Sequence, residues 1–369
     1  MVMAEWTEVN FGPQHPSMHG VLRLRVKLDG EIVKEVEPII GYLHRNAEKI
    51  GELQFYCDNM IYFDRMDYVA AMNMEVGYLE AAEKLLDIEV PERAQWIRVM
   101  MAELNRIASH LVWLGAFGLD LGMLTPFFYC FKEREKILKI FTEVSGSRQQ
   151  LNYMSIGGVY QDVTDEALDH IKTFIREFPK ELNKIESLFV KNDVFISRTK
   201  GIGILSKEMA IDYGVTGPML RASGVEYDVR KAQPYLVYDK VNFDIPVSFK
   251  GDNLARFLVR VEEMRQSVKI VEQTIQKLPA GPYFNQKAKK PLMIRLRGQG
   301  EVYARTESPK GEFGVYLIGD GSLRPYRVRV RSPTFKNLSV LPALAKDQMI
   351  ADLISIGGSI DLVFGEVDR

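Results

Sequence analysis

Between Asp252 and Leu278, apolar residues fall at positions 254, 258, 261, 264, 268, 271, 275 and 278, a ladder of three- and four-residue steps. Only an α-helix returns side chains to one side at that spacing. Asp252 suits its N-cap, and Pro279-Ala280-Gly281-Pro282 stops it. The ladder is too short to insist on a coiled coil. A helix of this length must bury its stripe against other helices, so the chain needs a bundle.

Partners for that helix are readable upstream. Leu43, Ala47, Ile50 and Gln54 mark one face over about 40–55, and a second helix is expected from about Met60 to Leu86. A third begins after Pro91, with Trp96, Met100, Leu104, Ile107, Leu111 and Leu114 on a buried stripe. A fourth runs from Thr125-Pro126 to near Gly146, and a fifth covers 164–178 with Thr164 as its N-cap. Both ends of the chain alternate instead. Residues 20–38 read as a hairpin around Asp29-Gly30, a dipeptide suited to a type I′ turn, and the segment before it leads into the first strand. Residues 292–333 read as a small antiparallel sheet with turns at Pro309–Gly311 and Asp320-Gly321, followed by a helix near 343–356. The expected fold is α+β, in one integrated domain: a loop and β-hairpin over 1–38, a helical core over 39–279 and a β/α region over 280–369.

Composition removes several classes of function. Lys and Arg (48) balance Asp and Glu (49), leaving a net charge of −1 and no basic field for nucleic acid. No apolar run approaches the roughly 18 residues that span a bilayer. The start of the chain, Met1 to Val9, has neither the basic nor the apolar region of a signal peptide, so a cytoplasmic protein is expected. Cys57 and Cys130 are the only cysteines; in helix-like surroundings they read as buried structural thiols. There is no phosphate-binding glycine loop.

Three stretches carry candidate chemistry. "FGPQHPSMHG" (11–20) holds two of the five histidines, His15 and His19. Their spacing is that of a helical zinc pair, but Pro16 and Gly20 break a helix there, leaving a proton-handling loop or a plain structural turn. "YFDRMDY" (62–68), read as helix, places Asp64, Arg65, Tyr68 and Met72 on one face, either a polar site or a surface ion-pair face. Asp120 stands in an apolar segment, where a carboxylate escapes to solvent or finds a partner; a histidine would serve.

"NFGPQHPSMHGVLRL", "GYLHRNAEK", "YFDRMDYV", "LGMLTPFF", "PMLRASGVEYDVRK", "SPKGEFGVYLIGDGSLRPYRVR" and "GSIDLVFGEVDR", in this order from about residue 9 to 369, resemble the quinone-reactive large subunit of respiratory complex I and its archaeal and photosynthetic relatives. The resemblance implies a fold like the large subunit of nickel–iron hydrogenases, without its metal site. It implies a quinone as substrate, with Tyr68 and His19 bound to the headgroup and supplying protons, and Asp120 supporting His19. His15, Met18 and Met72 would support the cavity, with Met66 a further apolar candidate. Arg45, Arg65 and Gln150 would lie near a 4Fe–4S cluster held by a small iron–sulfur subunit; this chain would bind no metal or flavin. Further implied partners are an adjacent peripheral-arm (C-type) subunit and membrane-arm subunits, including the H-type subunit where quinone enters. They would hold the chain on the cytoplasmic face of the membrane. Proton translocation would belong to the whole complex.

Side-chain chemistry agrees: a phenol and an imidazolium are both donors for a reduced quinone oxygen. Two departures stand out. Gln150 replaces a histidine expected near the cluster, and Asn46 stands where the family has glycine. Hydrogenase activity would need two CxxC pairs, which this chain lacks. The remaining alternative is a non-catalytic scaffold linking redox subunits to a membrane arm.

Overall fold

The computed structural model describes residues 6–14, 20–288 and 296–369. The structure is mixed α and β, with an antiparallel sheet near each end of a helical core. The first sheet is β1 (Thr7–Phe11), β2 (Arg23–Asp29) and β3 (Ile32–Ile39), in that order. Alternation buries Leu24, Val26, Leu28, Val33 and Val36 on one face and leaves ion pairs such as Lys27–Glu35 on the other. The expected hairpin forms, with two differences. Asp29 pairs with Ile32, so the loop is Gly30-Glu31, and only Gly30 has positive φ (61°). A type I′ turn needs both central residues there, so the turn is of another type. Strand β1 is extra, and the histidine segment therefore joins β1 to β2 rather than leading into a first strand.

The helical core contains α1 (Ala47–Leu53), α2 (Met60–Asp64), α3 (Ala71–Leu86), α4 (Glu92–Asp120) and α5 (Leu124–Ser145). A two-residue ladder, β4 (Met154–Ser155) with β5 (Gly158–Val159), precedes α6 (Asp165–Val190). Short helices α7 (Asp193–Ser197), α8 (Lys207–Asp212), α9 (Pro218–Arg221) and α10 (Val229–Ala232) lead to α11 (Asn253–Lys277). Helix α4 packs against α5, α11 and α14 (Ile350–Ile360) and is buried along most of its length, the mark of a central helix.

Local signals mark the ends well: Thr164 accepts from Ala167 N, Asp252 accepts from Ala255 N, and Gly146 closes α5 with φ 74°. Helix α6 runs past Pro179 because Leu182, Ile185 and Phe189 extend the buried stripe of Phe174 and Phe178. Helix α1 is shorter than expected. Residues 41–44 are drawn out of helix by Asp368, whose carboxylate accepts from Gly41 N (2.9 Å) and Leu43 N (2.8 Å). On α11 the expected ladder packs on the core through Val261, Met264 and Val271, with Leu254, Val268, Ile275 and Leu278 partly buried against it. Only Leu258 is exposed (38%), and the buried surface is wider than the ladder, taking in Arg256, Arg260 and Glu263. Cys130 is buried in α5, whereas Cys57 is half-buried in a turn, not a helix.

The C-terminal sheet is the meander β6 (Gln299–Ser308), β7 (Gly311–Asp320), β8 (Arg327–Arg331). Helix α3 lies on it so closely that a Cβ at Gly77 would overlap the Phe313 ring. Helices α12 (Pro333–Leu338), α13 (Leu341–Ala345), α14 and α15 (Phe364–Val367) then return the chain to the N-terminal sheet, sharing a core with it through Leu24, Val33, Leu341 and Phe364.

Candidate functional site

The expected single helix from Met60 to Leu86 is broken at residues 65–70, and the break makes the site. Asp67 Oδ1 accepts from Val69 N (3.2 Å), and Ala70 N bonds to the Asp67 carbonyl (3.0 Å), a local turn that competes with helix. Asp67 is fully buried, whereas Tyr68 beside it is 41% exposed. The helical-face reading is therefore overturned: Asp64 is buried at the end of α2, Met72 is packed in the core, and Tyr68 faces outward from a turn. The cause lies under the turn. Lys310, from the β6–β7 turn, sits with its Nζ 3.1 Å from Asp67 Oδ2. A buried carboxylate needs such a partner, and this need outweighs helix propagation.

Arg45 and Arg65 flank the turn. Arg45 Nη2 donates to the Arg65 carbonyl (2.7 Å), and Arg65 Nη1 donates to the Ile61 carbonyl (2.7 Å). Both bonds go to neutral carbonyls, so the positive charges remain available to act on Tyr68 or on a bound group. Asn46 takes the left-handed conformation (φ 59°) before α1. Asparagine tolerates that region better than most residues, so the backbone next to Arg45 keeps a conformation glycine would have allowed.

Tyr68, Val69 and Ala71 form one wall of a narrow cleft. Asn105 and Ala108 of α4 and Arg134, Leu138 and Phe141 of α5 form another, and residues 148–151 close it. Gln150 thus shares a cleft with Tyr68, and its own backbone is left-handed (φ 53°). Arg134 is buried with its Nε unpaired among the described residues, and burial pushes its pKa down. Behind this loop, Glu75 Oε2 accepts from Tyr153 N (3.2 Å) and Met154 N (2.8 Å). Burial and the neighbouring Asp64 hold Glu75 well above the usual carboxylate range, and burial raises Asp64 to about 6. Two acids so placed hold one proton between them.

Asp120 is not in the cleft lining. It closes α4, half-buried, twelve residues beyond Ala108, which is roughly 18 Å along the axis. His15, Met18 and His19 lie outside the described residues. The residue after His19 is described: Gly20 packs so tightly that a Cβ would come 2.8 Å from the Phe364 ring. The next residue, Gly365, lies against the Met66 carbonyl, where a Cβ would overlap it and would come 3.3 Å from Arg45 Nη2. One α15 turn therefore touches the root of the histidine segment on one side and the Tyr68 turn on the other.

Beneath the turn, Lys310 Nζ donates to Ser109 Oγ (2.6 Å) and lies 3.7 Å from Asp361 Oδ2. Glu366, fully buried nearby, accepts from Thr334 N (3.1 Å) and the Thr334 hydroxyl. Burial lifts Glu366 to about 8, and the charge of Asp67 adds to it. Burial and Asp361 raise Asp67 despite Lys310. Burial works against the Lys310 ammonium, but Asp361 and Asp67 outweigh it and raise its pKa. Burial, then Asp67, raises the Tyr68 phenol.

Residues 120–369 match the family described as "Respiratory-chain NADH dehydrogenase, 49 Kd subunit". The chain is 48% identical over 363 residues to a D-type subunit of the NADH-quinone oxidoreductase of Solibacter usitatus, covering 98% of this chain and 96% of that protein. It is 49% identical over 367 residues to the corresponding subunit of Chlorobium luteolum (98% and 93% covered) and 45% identical over 390 residues to that of Geotalea uraniireducens (100% of each). The chain belongs to this family.

As a member of the 49 Kd family, the chain has no helix among the described residues long and apolar enough to cross a membrane. Sequence reasoning reaches Tyr68, Arg45, Arg65 and Gln150 but passes over Asp67, Lys310, Asp361 and Glu366. All four stand within the family-like blocks "YFDRMDYV", "SPKGEF" and "GSIDLVFGEVDR", and Asp361 is the one with apolar residues on both sides.

Proposed function

We propose that this chain is the quinone-reducing subunit of an NADH-quinone oxidoreductase, with the quinone headgroup received between Tyr68 and His19. The observation that carries the reading is the shared α15 turn: Gly20, next to His19, rests on Phe364, and Gly365 rests on the Tyr68 turn. Two segments distant in sequence are thus rooted on the same few residues, with an exposed phenol at their junction.

The roles follow from the side chains. Two-electron reduction leaves charge on the quinone oxygens. Tyr68, a phenol kept protonated by its surroundings, donates a hydrogen bond and then a proton. His19 donates at the other oxygen, and Asp120 holds the imidazole protonated and oriented. His15 and Met18 shape the loop, and Met72 packs behind the Tyr68 wall. A 4Fe–4S cluster in the small iron–sulfur subunit would deliver electrons on the side of Arg45, Arg65 and Gln150, where guanidiniums bonded only to carbonyls favour added negative charge. The C-type and membrane-arm subunits, among them the H-type subunit, would hold the chain at the cytoplasmic face of the membrane and couple reduction to proton translocation.

The test uses the assembled complex. Tyr68→Phe and His19→Ala are each expected to cut quinone reduction about 10- to 100-fold, while NADH still reduces the upstream clusters. Unchanged turnover in both would reject the site and leave a scaffold joining redox subunits to a membrane arm.

A further inference from the structure

Behind the Tyr68 turn, one lysine lies within ion-pair distance of two carboxyl groups, Asp67 and Asp361, and within electrostatic reach of a third, Glu366. Asp67 and Glu366 are fully buried, Lys310 is 1% exposed and Asp361 is 7% exposed. They come from three separate parts of the chain: the Tyr68 turn, the β6–β7 turn and the segment around α15. If all ionised, three carboxylates against one ammonium would leave two net negative charges inside the protein. An uncompensated buried charge is costly, so the cluster retains a proton at neutral pH. The groups that face it from every side are few. Ser109 of α4 receives the Lys310 bond, while Thr334 of α12 supplies two hydrogen bonds to Glu366. Arg260 and His110 feel the charge of Asp361 from α11 and α4, and Arg45 acts on Tyr68 from the outer side. The free oxygens fit the same picture: Glu366 Oε2 lacks a hydrogen-bond partner among the described residues, and Asp361 Oδ2 has only Lys310, at 3.7 Å.

We propose that this Lys310 cluster is the proton store that re-protonates Tyr68, with Asp67 as the last carrier and Asp361, the most exposed member, as the point of refilling from water. The inference rests on Tyr68 giving its proton to the reduced quinone oxygen. In the step itself one carboxyl O–H bond breaks and the phenol O–H of Tyr68 re-forms. No electron moves, and the carboxylate left behind is paired with Lys310 until water returns a proton through Asp361. Transfer from a carboxylic acid to a phenolate runs downhill, because a phenol is the weaker acid by several pKa units. The four cluster residues act through Tyr68 and do not touch substrate.

The experiment measures quinone reduction by the complete membrane-bound complex between pH 6 and pH 9.5, in H2O and D2O. The unmodified complex is expected to slow above about pH 8 as the store empties, with a solvent isotope effect that grows there. A rate and isotope effect independent of pH over that range would overturn the proposal without any variant. Asp361→Asn and Glu366→Gln imitate the protonated acids in shape, so they preserve the packing. Each is expected to lower kcat, with KM unchanged, by a factor of about 10 below pH 8 that falls towards about 2 at pH 9.5, where the unmodified store is itself empty. Glu366→Asp should recover most of the loss. A loss equal at all pH values would mean that these residues only support the fold. Tyr68→Phe in the same preparations separates the two readings: if it leaves turnover intact, the quinone site is wrong. If it lowers turnover while the cluster variants keep the normal pH profile, only the proton store is wrong.

Discussion

The molecule buries charge in two places, on opposite terms. Inside the helical core, Glu103, Asp228, Glu263 and Glu307 share the guanidiniums of Arg106, Arg221 and Arg230, and His110 bonds to Glu263 at 3.0 Å. Under Tyr68, Asp67 and Asp361 share Lys310, Arg260 reaches Asp361 only through its charge, and Glu366 has no cation within ion-pair distance among the described residues. Burial raises the pKa of an acid in either place, but in the core the arginines win. Arg106 and Arg230, with hydrogen bonds from Ser267 and Tyr238, hold Glu103 at about 2, and Arg230 holds Asp228 at about 2. Glu366, without a close cation, stands at about 8. Within the core Glu307 marks the boundary: burial and Asp228 lift it to about 7, because it shares Arg221 with Glu263. The number of donors per carboxylate, rather than burial, decides whether a buried acid is a fixed anion or a proton carrier.

Breaking the balanced network should have the largest effect. Arg230→Met strands Glu103 and Asp228, which depend on it through contacts of 2.9 and 2.6 Å. A loss of about 3–5 kcal/mol in urea unfolding of the purified chain is expected, and the complex should fail to accumulate. Lys310→Met should cost less, about 1–3 kcal/mol, because its acids can answer by staying protonated. Its cost should rise with pH, since Asp67 and Asp361, once ionised, then lack their nearest cation. A cost equal to that of Arg230→Met at pH 6 would erase the distinction between the two clusters.

The same contrast predicts opposite pH slopes. Glu103 is lowered from 4.5 to about 2, so its contribution to stability is present above about 4.5 and is lost as the pH falls towards 2. Glu366 is raised from 4.5 to about 8, so the folded chain holds a proton that the unfolded chain has released between those values. Stability therefore falls as the pH rises from about 4.5 through about 8. In denaturant titrations Glu366→Gln should flatten the alkaline limb and leave the acid limb alone, and Glu103→Gln should do the reverse on a less stable protein.

That contrast also explains what can be read from the sequence. Thr164, Asp252 and Gly146 mark helix ends by local chemistry, so they are legible residue by residue. The β-hairpin and the C-terminal meander are legible because alternation is local as well. The break at residues 65–70 is not, because its cause is Lys310, from the far side of the chain, and a window over "YFDRMDY" reads on as helix. Residues 41–44 escape a local reading for the same reason, since Asp368 supplies their hydrogen bonds from the other terminus. On α11 the sequence ladder finds the packed stripe apart from Leu258 but misses Arg256, Arg260 and Glu263, buried charges that apolar periodicity excludes by definition. Spacing draws attention to Tyr68 and Arg65 but reads them as a helix face; Arg45, and a shared role for the three, come through resemblance alone. The cluster below them needs the fold, because its four members are distributed over three segments.

A third kind of pair supplies the smallest expected effect and the control for the rest. Lys27 and Glu35 face each other across β2 and β3 at 2.7 Å, closer than Lys310 to Asp67 at 3.1 Å. Both ends of the first pair are well exposed, so water already solvates each charge, and salt screens what attraction is left. A double-mutant cycle with Lys27→Ala and Glu35→Ala should give no resolvable coupling at physiological salt. Lys310 and Asp67, at a longer distance, should couple strongly in the same measurement, because no water is available to replace either partner. If the two cycles returned similar energies, proximity would be what counts, and the difference drawn between the two buried clusters would lose its physical basis.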